Sequence, residues 1–278
     1  MIITESFVWI NFPKTGSTFA REVFRRLYSL PLLDRGKRRR FHGRWMREEL
    51  VPETRPRVGE RFGQPSPHGR VSQIPESFRG LPVVSALRDP VKRAYSLHSY
   101  GDWKKADQFP VPVAEIVAAF PEFPDLSFEN YLDYIRHFGR KNCIKVGERL
   151  YALGSQSVDF VSFFANSTDP KLCPPSFESW ESLADQLARV HFLDVDDLSA
   201  KLAAFLQASG FAEKDLEFIV TMPRINESAG LSAERGMPSS IQDGIRESEW
   251  LMELYHGKKA VPSASELRLR AQPLRVPH

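Results

Sequence analysis

The chain lacks several features that would place it in a function class directly. Its 278 residues include only 2 cysteines, Cys143 and Cys173, which are not in metal-ligand spacing. They indicate reduced thiols, with a single disulfide left open, and exclude a disulfide-rich scaffold. No run approaches the roughly 18 apolar residues of a membrane span, and residues 1–12 lack the charged-then-apolar order of a signal peptide. We therefore expect a soluble, cytoplasmic protein.

The chain also has only a small excess of charge of one sign. The 38 Lys and Arg residues nearly balance 35 Asp and Glu residues, which leaves a formal net charge of +3 at pH 7. This balance does not require nucleic acid as a partner and suits a small anionic ligand. The local exception is the basic run RGKRRR at 35–40. It indicates either a solvated loop or a docking surface for an acidic acceptor such as a saccharide.

What is present predicts a packed α/β fold. The composition is 42% hydrophobic and 12% aromatic, which is enough for a substantial core. The apolar run FVWINF at 7–12 predicts a buried strand, and the next residues predict a helix whose apolar face holds Phe19, Val23, Phe24 and Leu27. Such strand–loop–helix units favour a central parallel sheet flanked by helices.

Further elements follow the same pattern. PVVSAL at 82–87 predicts a second strand, and Asp89 and Pro90 predict the cap and first turn of the helix behind it. HFLDV at 191–195 predicts a third strand. Additional helices are predicted at 113–120, 127–138, 179–190 and 197–211, the last ending at Gly210. We expect one domain over residues 1–256 and a loosely ordered tail at 257–278.

The loop FPKTGSTF at 12–19 has the residue types of a phosphate-binding loop in an unusual order. Backbone N–H groups in a glycine-containing turn that opens a helix form an anion site, reinforced by the positive end of the helix dipole. In the common ATP-binding loop the lysine directly follows the second glycine of GxxxxGK[ST]. Here Lys14 stands two residues before Gly16, so that it approaches the anion from the strand side. The alternative is an ordinary strand–helix turn.

A second anion-binding pattern lies at the end of the predicted strand 82–87. Arg88 follows that strand directly, at the carboxyl end where ligands bind in open α/β sheets. Ser96 lies eight residues further, in the helix, so that the guanidinium and the hydroxyl can converge on one phosphate. The alternative is an arginine that caps a helix and an exposed serine. Two anion sites predict a ligand with two separate phosphate-like groups.

Both patterns resemble those of one enzyme family. FPKTGSTFAREVF resembles the 5′-phosphosulfate-binding loop of the PAPS-dependent sulfotransferases, and SALRDPVKRAYSLHSYG resembles their 3′-phosphate-binding strand and helix. More weakly, VHFLDVDDLSAKLAAFLQASGF and MPRINESAG resemble later segments of the family. The resemblance implies a P-loop-like sulfotransferase fold and the donor 3′-phosphoadenosine 5′-phosphosulfate (PAPS), with 3′,5′-diphosphoadenosine (PAP) as product.

The resemblance also implies roles for individual residues. The residues that would cradle the 5′-phosphosulfate are those of the loop, Lys14, Thr15, Gly16, Ser17 and Thr18. Lys14 would in addition neutralise the leaving phosphate oxygen, and no metal is expected because this lysine can supply the charge. Arg88 and Ser96 would hold the 3′-phosphate. Phe19 stands where soluble members stack an aromatic ring on adenine, or else belongs to the apolar face of the helix.

Transfer to an acceptor hydroxyl or amine also needs a group that takes the acceptor's proton. His68 lies 20 residues before Arg88, in PHGRVSQIPESF, and this layout resembles the segment that carries the catalytic histidine in soluble sulfotransferases. The alternatives are His42 and a carboxylate from Glu48, Glu49 or Glu53. All of these lie within the Arg- and Pro-rich residues 31–70, which we expect to form part of the acceptor pocket.

Two other functions compete with sulfuryl transfer. An ATP-dependent kinase of the same broad fold would carry a GK[ST] loop and a strand-end aspartate for Mg²⁺, and neither is evident. The presence of Lys14, Arg88 and Ser96 argues against a non-catalytic nucleotide-binding adaptor. The sequence leaves the acceptor open, with a carbohydrate or a small alcohol among the options, and it leaves the oligomeric state open.

Overall fold

The computed structural model describes the chain over residues 1–28, 39–41, 44–52, 65–104, 112–139, 142–146, 149–166, 183, 185–223 and 237–256. The strands within these residues, β1 to β10 in chain order, are Ile2–Thr4, Val8–Ile10, Arg39–Phe41, Arg44–Glu48, Val51–Pro52, Pro65–Ser66, Val83–Leu87, Asn142–Val146, Arg149–Leu153 and Val190–Asp194. The α-helices, α1 to α9, are Ser17–Leu27, Pro90–Tyr100, Val113–Ala119, Phe128–Phe138, Ser155–Phe164, Leu198–Ala208, Glu217–Thr221, Ser239–Ser248 and Trp250–Tyr255.

The main sheet has six strands in the order β10-β7-β2-β1-β4-β3. β10, β7 and β2 are parallel, whereas β1, β4 and β3 join them through antiparallel pairs. The α/β class is therefore confirmed, but the prediction of a parallel central sheet holds for only three strands. The physical reason is connection length. Residues 5–7 join β1 to β2 and residues 42–43 join β3 to β4, and a parallel crossover needs about a dozen residues or more.

Individual elements mostly follow the sequence pattern. The run 7–12 contains β2, although it is the second strand because β1 precedes it; 82–87 contains β7 and 191–195 corresponds to β10. The helices expected at 113–120, 127–138 and 197–211 are α3, α4 and α6. The prediction of a helix at 179–190 is wrong at its C-terminal end, because Val190 already pairs with Val83 in the sheet. Residues 179–182, 184 and the tail 257–278 lie outside the described residues.

Alternating side chains of the central strands supply two apolar faces, as strand geometry requires. On one face the buried side chains of the sheet pack with α1 and α6, through Trp9, Val84, Phe24 and Leu202. On the other they pack with α5 and α9, through Val8, Ile10, Phe160 and Leu254. This gives a three-layer arrangement with the sheet in the middle. Phe19 is 7% exposed and belongs to the first face, which supports its role in the core.

A separate aromatic cluster lies beside this sandwich, where α3 and α4 pack against the end of α2. Its buried members include Trp103, Tyr131 and Tyr134. The His98 ring stacks on Trp103 at 5.6 Å between ring centroids. In the part of the chain that the structure describes, no helix is long and apolar enough to cross a membrane.

A buried carboxylate ties α1 to the antiparallel half of the sheet. Glu48, on β4, is 5% exposed and lies 2.6 Å from a guanidinium nitrogen of Arg21 and 3.1 Å from one of Arg25. Burial alone would raise the pKa of Glu48, but the two guanidinium groups outweigh it and hold this pKa below its usual value. Arg21 and Arg25 are therefore structural residues.

Replacing Glu48 with Gln is expected to lower the free energy of unfolding at pH 7 by about 2–4 kcal/mol, because it leaves two partly buried guanidinium groups without their carboxylate. Since the folded-state pKa is depressed, this stabilisation is present above the unfolded-state pKa of about 4.3 and is lost as pH falls through the folded-state value.

Urea unfolding of the wild type and E48Q at pH 7 and pH 3 measures the effect, and the difference between them should shrink at pH 3. The exposed pair of Glu22 with Arg26 provides the control, since E22Q should cost less than about 1 kcal/mol at either pH. A difference for E48Q that does not change with pH would contradict the assignment.

Candidate anion-binding site

The two anion-binding patterns lie at one edge of the sheet. β2 and β7 are adjacent and parallel, with Ile10 opposite Ser85. The loop 11–16 follows β2 and Arg88 follows β7, so both leave the carboxyl ends of neighbouring strands, which are roughly 4.8 Å apart. β10 lies on the other side of β7 and ends at the same edge, where the Val195 amide donates to the Leu87 carbonyl. This is the edge at which open α/β sheets bind ligands.

The loop after β2 has an uncommon backbone. Lys14 has φ +64° and Gly16 has φ +74°, both in the left-handed region. The left-handed backbone at position 16 favours glycine, and a Cβ there would lie 2.5 Å from Cδ2 of Leu198, so that a larger residue would also have to displace this side chain. The Thr15 hydroxyl donates to the Phe12 carbonyl at 2.8 Å. The Thr15 side chain therefore stabilises the loop itself, and its predicted contribution to an anion site rests on its backbone.

The loop ends at the N-terminus of α1. Gly16 caps this helix without a side-chain hydrogen bond, and the first turn holds no acidic residue. The N–H groups of a first helical turn have no intrahelical acceptor, so they point towards an approaching anion. Ser17 is buried, at 8% exposure, whereas Thr18 is exposed. Of the two hydroxyl-bearing residues predicted to bind the phosphosulfate, Thr18 is therefore at the surface and Ser17 is buried.

The side chain of Lys14 extends towards the end of α2. Its Nζ lies 2.8 Å from the centroid of the Tyr100 ring, and Tyr100 itself is 59% exposed. A cation–π contact leaves the positive charge of the ammonium in place. The Lys14 ammonium therefore lies beside the exposed Tyr100 ring, near the protein surface.

A buried arginine is hydrogen-bonded to the backbone of the loop. Arg93, on α2, has no exposed surface, and its Nε donates to the Pro13 carbonyl at 3.2 Å. Its other nitrogens donate to Gln156 Oε1 and Asp159 Oδ2 on α5, at 3.2 and 3.3 Å. Its guanidinium carbon lies 4.6 Å from the centroid of the Phe12 ring. One side chain thereby connects the loop, α2 and α5.

The residues of the second pattern lie at the end of β7 and on α2, the strand and helix that the sequence predicts. Arg88 is half-buried at the end of β7. Asp89 caps α2 by accepting from the amides of Val91 and Lys92, at 2.9 and 3.0 Å, so the predicted cap is confirmed. Ser96 is half-buried in the second turn of α2. That Arg88 and Ser96 share one phosphate stays a prediction.

Among the candidate bases that the structure describes, His68 contacts the first residue of the loop. Its Nδ1 is 2.8 Å from the carbonyl oxygen of Asn11, the residue that directly follows β2. Glu48 is engaged by two arginines, and Glu49 pairs with Arg47 at 2.7 Å. His42, Glu53 and residues 35–38 of the basic run lie outside the described residues.

Sequence reasoning missed three residues of this site: Asn11, Arg93 and Tyr100. Arg93 carries a usable signal, because it lies on the same helical face as the apolar residues Pro90 and Leu97, and a charge on an apolar face predicts a buried polar contact. For Asn11 and Tyr100 the sequence gives no such signal, since the residues that they contact are distant in the chain.

Comparison with protein-family models, with curated proteins and with solved structures finds no match to this chain. Any functional assignment therefore depends on the sequence motifs and on the geometry at the sheet edge.

Replacing Arg93 with Gln is expected to destabilise the protein by about 3 kcal/mol or more, because it leaves Asp159 and the Pro13 carbonyl without their buried donor. Arg136, exposed and bonded to Asp133 on the surface of α4, offers a matched control, and R136Q should change stability by less than about 1 kcal/mol. Chemical unfolding of both variants measures this. Equal effects would show that the Arg93 contacts contribute nothing beyond a surface ion pair.

Proposed function

We propose that the chain is a PAPS-dependent sulfotransferase, which moves a sulfuryl group from 3′-phosphoadenosine 5′-phosphosulfate to a hydroxyl or amine of an acceptor. The observation that carries the proposal is the placement of two anion-binding groups, the loop with Lys14 and the strand-end Arg88, on adjacent parallel strands at one edge of the sheet. A ligand with phosphates at both ends of a ribose would engage both groups together.

In this proposal the loop holds the 5′ end of the donor. The first-turn amides of α1, with the hydroxyls of Ser17 and Thr18, hydrogen-bond the phosphosulfate, and Lys14 neutralises charge on the phosphate oxygen as it leaves. The left-handed backbone at Lys14 and Gly16 shapes the loop before any ligand arrives. Such preorganised donors stabilise developing charge without rearrangement during the reaction.

Arg88 and Ser96 hold the 3′-phosphate of the donor. A guanidinium offers two parallel N–H donors to phosphate oxygens, which fixes orientation as well as charge. Holding the ligand at both ends sets the direction of the sulfuryl group relative to the acceptor, and positioning of this kind supplies much of the rate in group transfer. The parallel part of the sheet, β10, β7 and β2, is the part that supports a P-loop-like sulfotransferase fold.

His68 acts as the base. Its imidazole takes the proton of the acceptor hydroxyl while the acceptor oxygen forms a bond to sulfur and the bond from sulfur to the phosphate oxygen breaks, releasing PAP. A histidine suits this role because its ordinary pKa of about 6.5 lies near neutral pH. The acceptor is a hydroxyl-bearing small molecule or saccharide in this proposal.

PAP is expected to raise the melting temperature of the purified protein in a concentration-dependent way, as any ligand that binds only the folded state does. K14A should weaken PAP binding by roughly 10- to 100-fold, because it removes a charged hydrogen-bond donor. Lys104, which pairs with Asp125 at the surface, is the control, and K104A should bind as the wild type does. Stabilisation by Mg·ATP but not by PAP would favour a kinase instead.

H68A is expected to bind PAP normally but to transfer the labelled sulfuryl group from PAPS about 10²–10⁴-fold more slowly, because a positioned base contributes about that factor. A panel of saccharides and small alcohols with labelled PAPS identifies the acceptor for the assay. Transfer by H68A at the wild-type rate would remove His68 as the base.

A further inference from the structure

The end of β2 is bonded to the segment that carries His68 at two points. The side-chain Nδ2 of Asn11 donates to the carbonyl oxygen of Pro67 at 3.0 Å. The backbone carbonyl of the same asparagine lies 2.8 Å from Nδ1 of His68. The backbone amide of His68 donates to Oγ of Ser66 at 3.2 Å. The His68 ring is therefore fixed relative to β2, the strand that leads into the loop.

The contact with a carbonyl decides which ring nitrogen carries the proton. A carbonyl oxygen can only accept a hydrogen bond, so at 2.8 Å Nδ1 of His68 must be the protonated nitrogen. In the neutral ring the basic lone pair then belongs to Nε2, on the opposite side of the imidazole. The tautomer is thus determined by the protein backbone at Asn11.

Packing does not account for an amide side chain at this position. Asn11 has no exposed surface, and its Oδ1 has no hydrogen-bond partner among the residues that the structure describes. An apolar side chain would avoid burying that acceptor. What the amide adds is the Nδ2 bond to Pro67, next to His68 in the chain.

From this geometry we infer that Asn11 is a positioning residue, which holds the Pro67–His68 segment against the end of β2 and so presents Nε2 of His68 as the basic nitrogen. Its catalytic meaning rests on the proposed function. Because Asn11 lies two residues before Pro13, whose carbonyl Arg93 holds, the same strand end positions both the base and the anion-binding loop.

The tautomer can be measured on the wild-type protein without any enzymatic assay. In ¹⁵N-detected NMR of the full chain above the pKa of the ring, His68 should show a protonated Nδ1 and a pyridine-type Nε2. The signal is assigned by its loss in H68A. An Nε2-protonated ring, or an even mixture of the two tautomers, overturns the inference. Because this measurement needs no donor or acceptor, it stands apart from success or failure of the sulfotransferase assay.

The role of the Asn11 side chain is tested with N11A and N11L, the second of which fills the space without restoring the donor. Both should shift His68 towards a mixture of tautomers and lower kcat for sulfuryl transfer about 10- to 100-fold, since small misplacements of a reacting group cost about that much. KM for PAPS and the affinity for PAP should stay within about twofold of the wild type, because residues 14–18, which are proposed to bind the phosphosulfate, are unchanged.

Ser85 supplies the matched control. It is fully buried, and its Oγ donates to the Ile10 carbonyl at 2.8 Å, so S85A removes a buried bond to the same strand without touching the His68 segment. S85A should keep the wild-type tautomer and kcat even where it lowers the melting temperature. If N11L and S85A behave alike in tautomer and kcat, Asn11 is only a structural residue and the inference is wrong.

Discussion

The arrangement of the candidate site depends on the hydrogen bonds of one buried guanidinium, that of Arg93. Arg93 belongs to α2 and has no exposed surface. Its guanidinium joins α2 to the loop after β2 and to α5. Burying a charge in a protein interior is costly unless the charge is paired and hydrogen-bonded. Asp159, Gln156 and the Pro13 carbonyl meet that requirement together, so the position of the loop is coupled to the folding of all three elements.

A second buried polar group extends this network. Glu249, just before α9, accepts from the backbone amides of Gln156 and Ser157 at 3.2 and 2.7 Å, and thereby caps α5. Burial raises the pKa of Glu249. The hydrogen bonds from the two backbone amides favour the ionised carboxylate and only partly offset this effect. Gln156 in turn donates to the Pro90 carbonyl at the start of α2. The elements beneath the site are therefore joined by hydrogen bonds as well as by apolar packing.

The sequence predicted the parts of the fold that depend on local pattern. Apolar runs bounded by proline, arginine or aspartate located β2, β7 and β10, and the Asp89–Pro90 pair located the start of α2 correctly. The antiparallel half of the sheet was not predicted, because the pairing of β1 with β4 joins residues more than 40 positions apart and leaves no periodic signal. The lysine, glycine and arginine of the candidate site were found because they stand at strand ends, whereas Asn11 became evident only through its contacts with Pro67 and His68.

In the proposed function, the two strand-end groups bind opposite ends of one ligand. Calorimetric titration of the wild type and R88A with PAP and with adenosine 5′-monophosphate, which lacks the 3′-phosphate, tests it most directly. If the two groups bind in this way, R88A weakens PAP binding by roughly 10- to 100-fold and leaves the binding of the monophosphate unaffected, because in the proposed function Arg88 contacts only the 3′-phosphate. Equal losses for both ligands, or wild-type binding of PAP no tighter than that of the monophosphate, would contradict it.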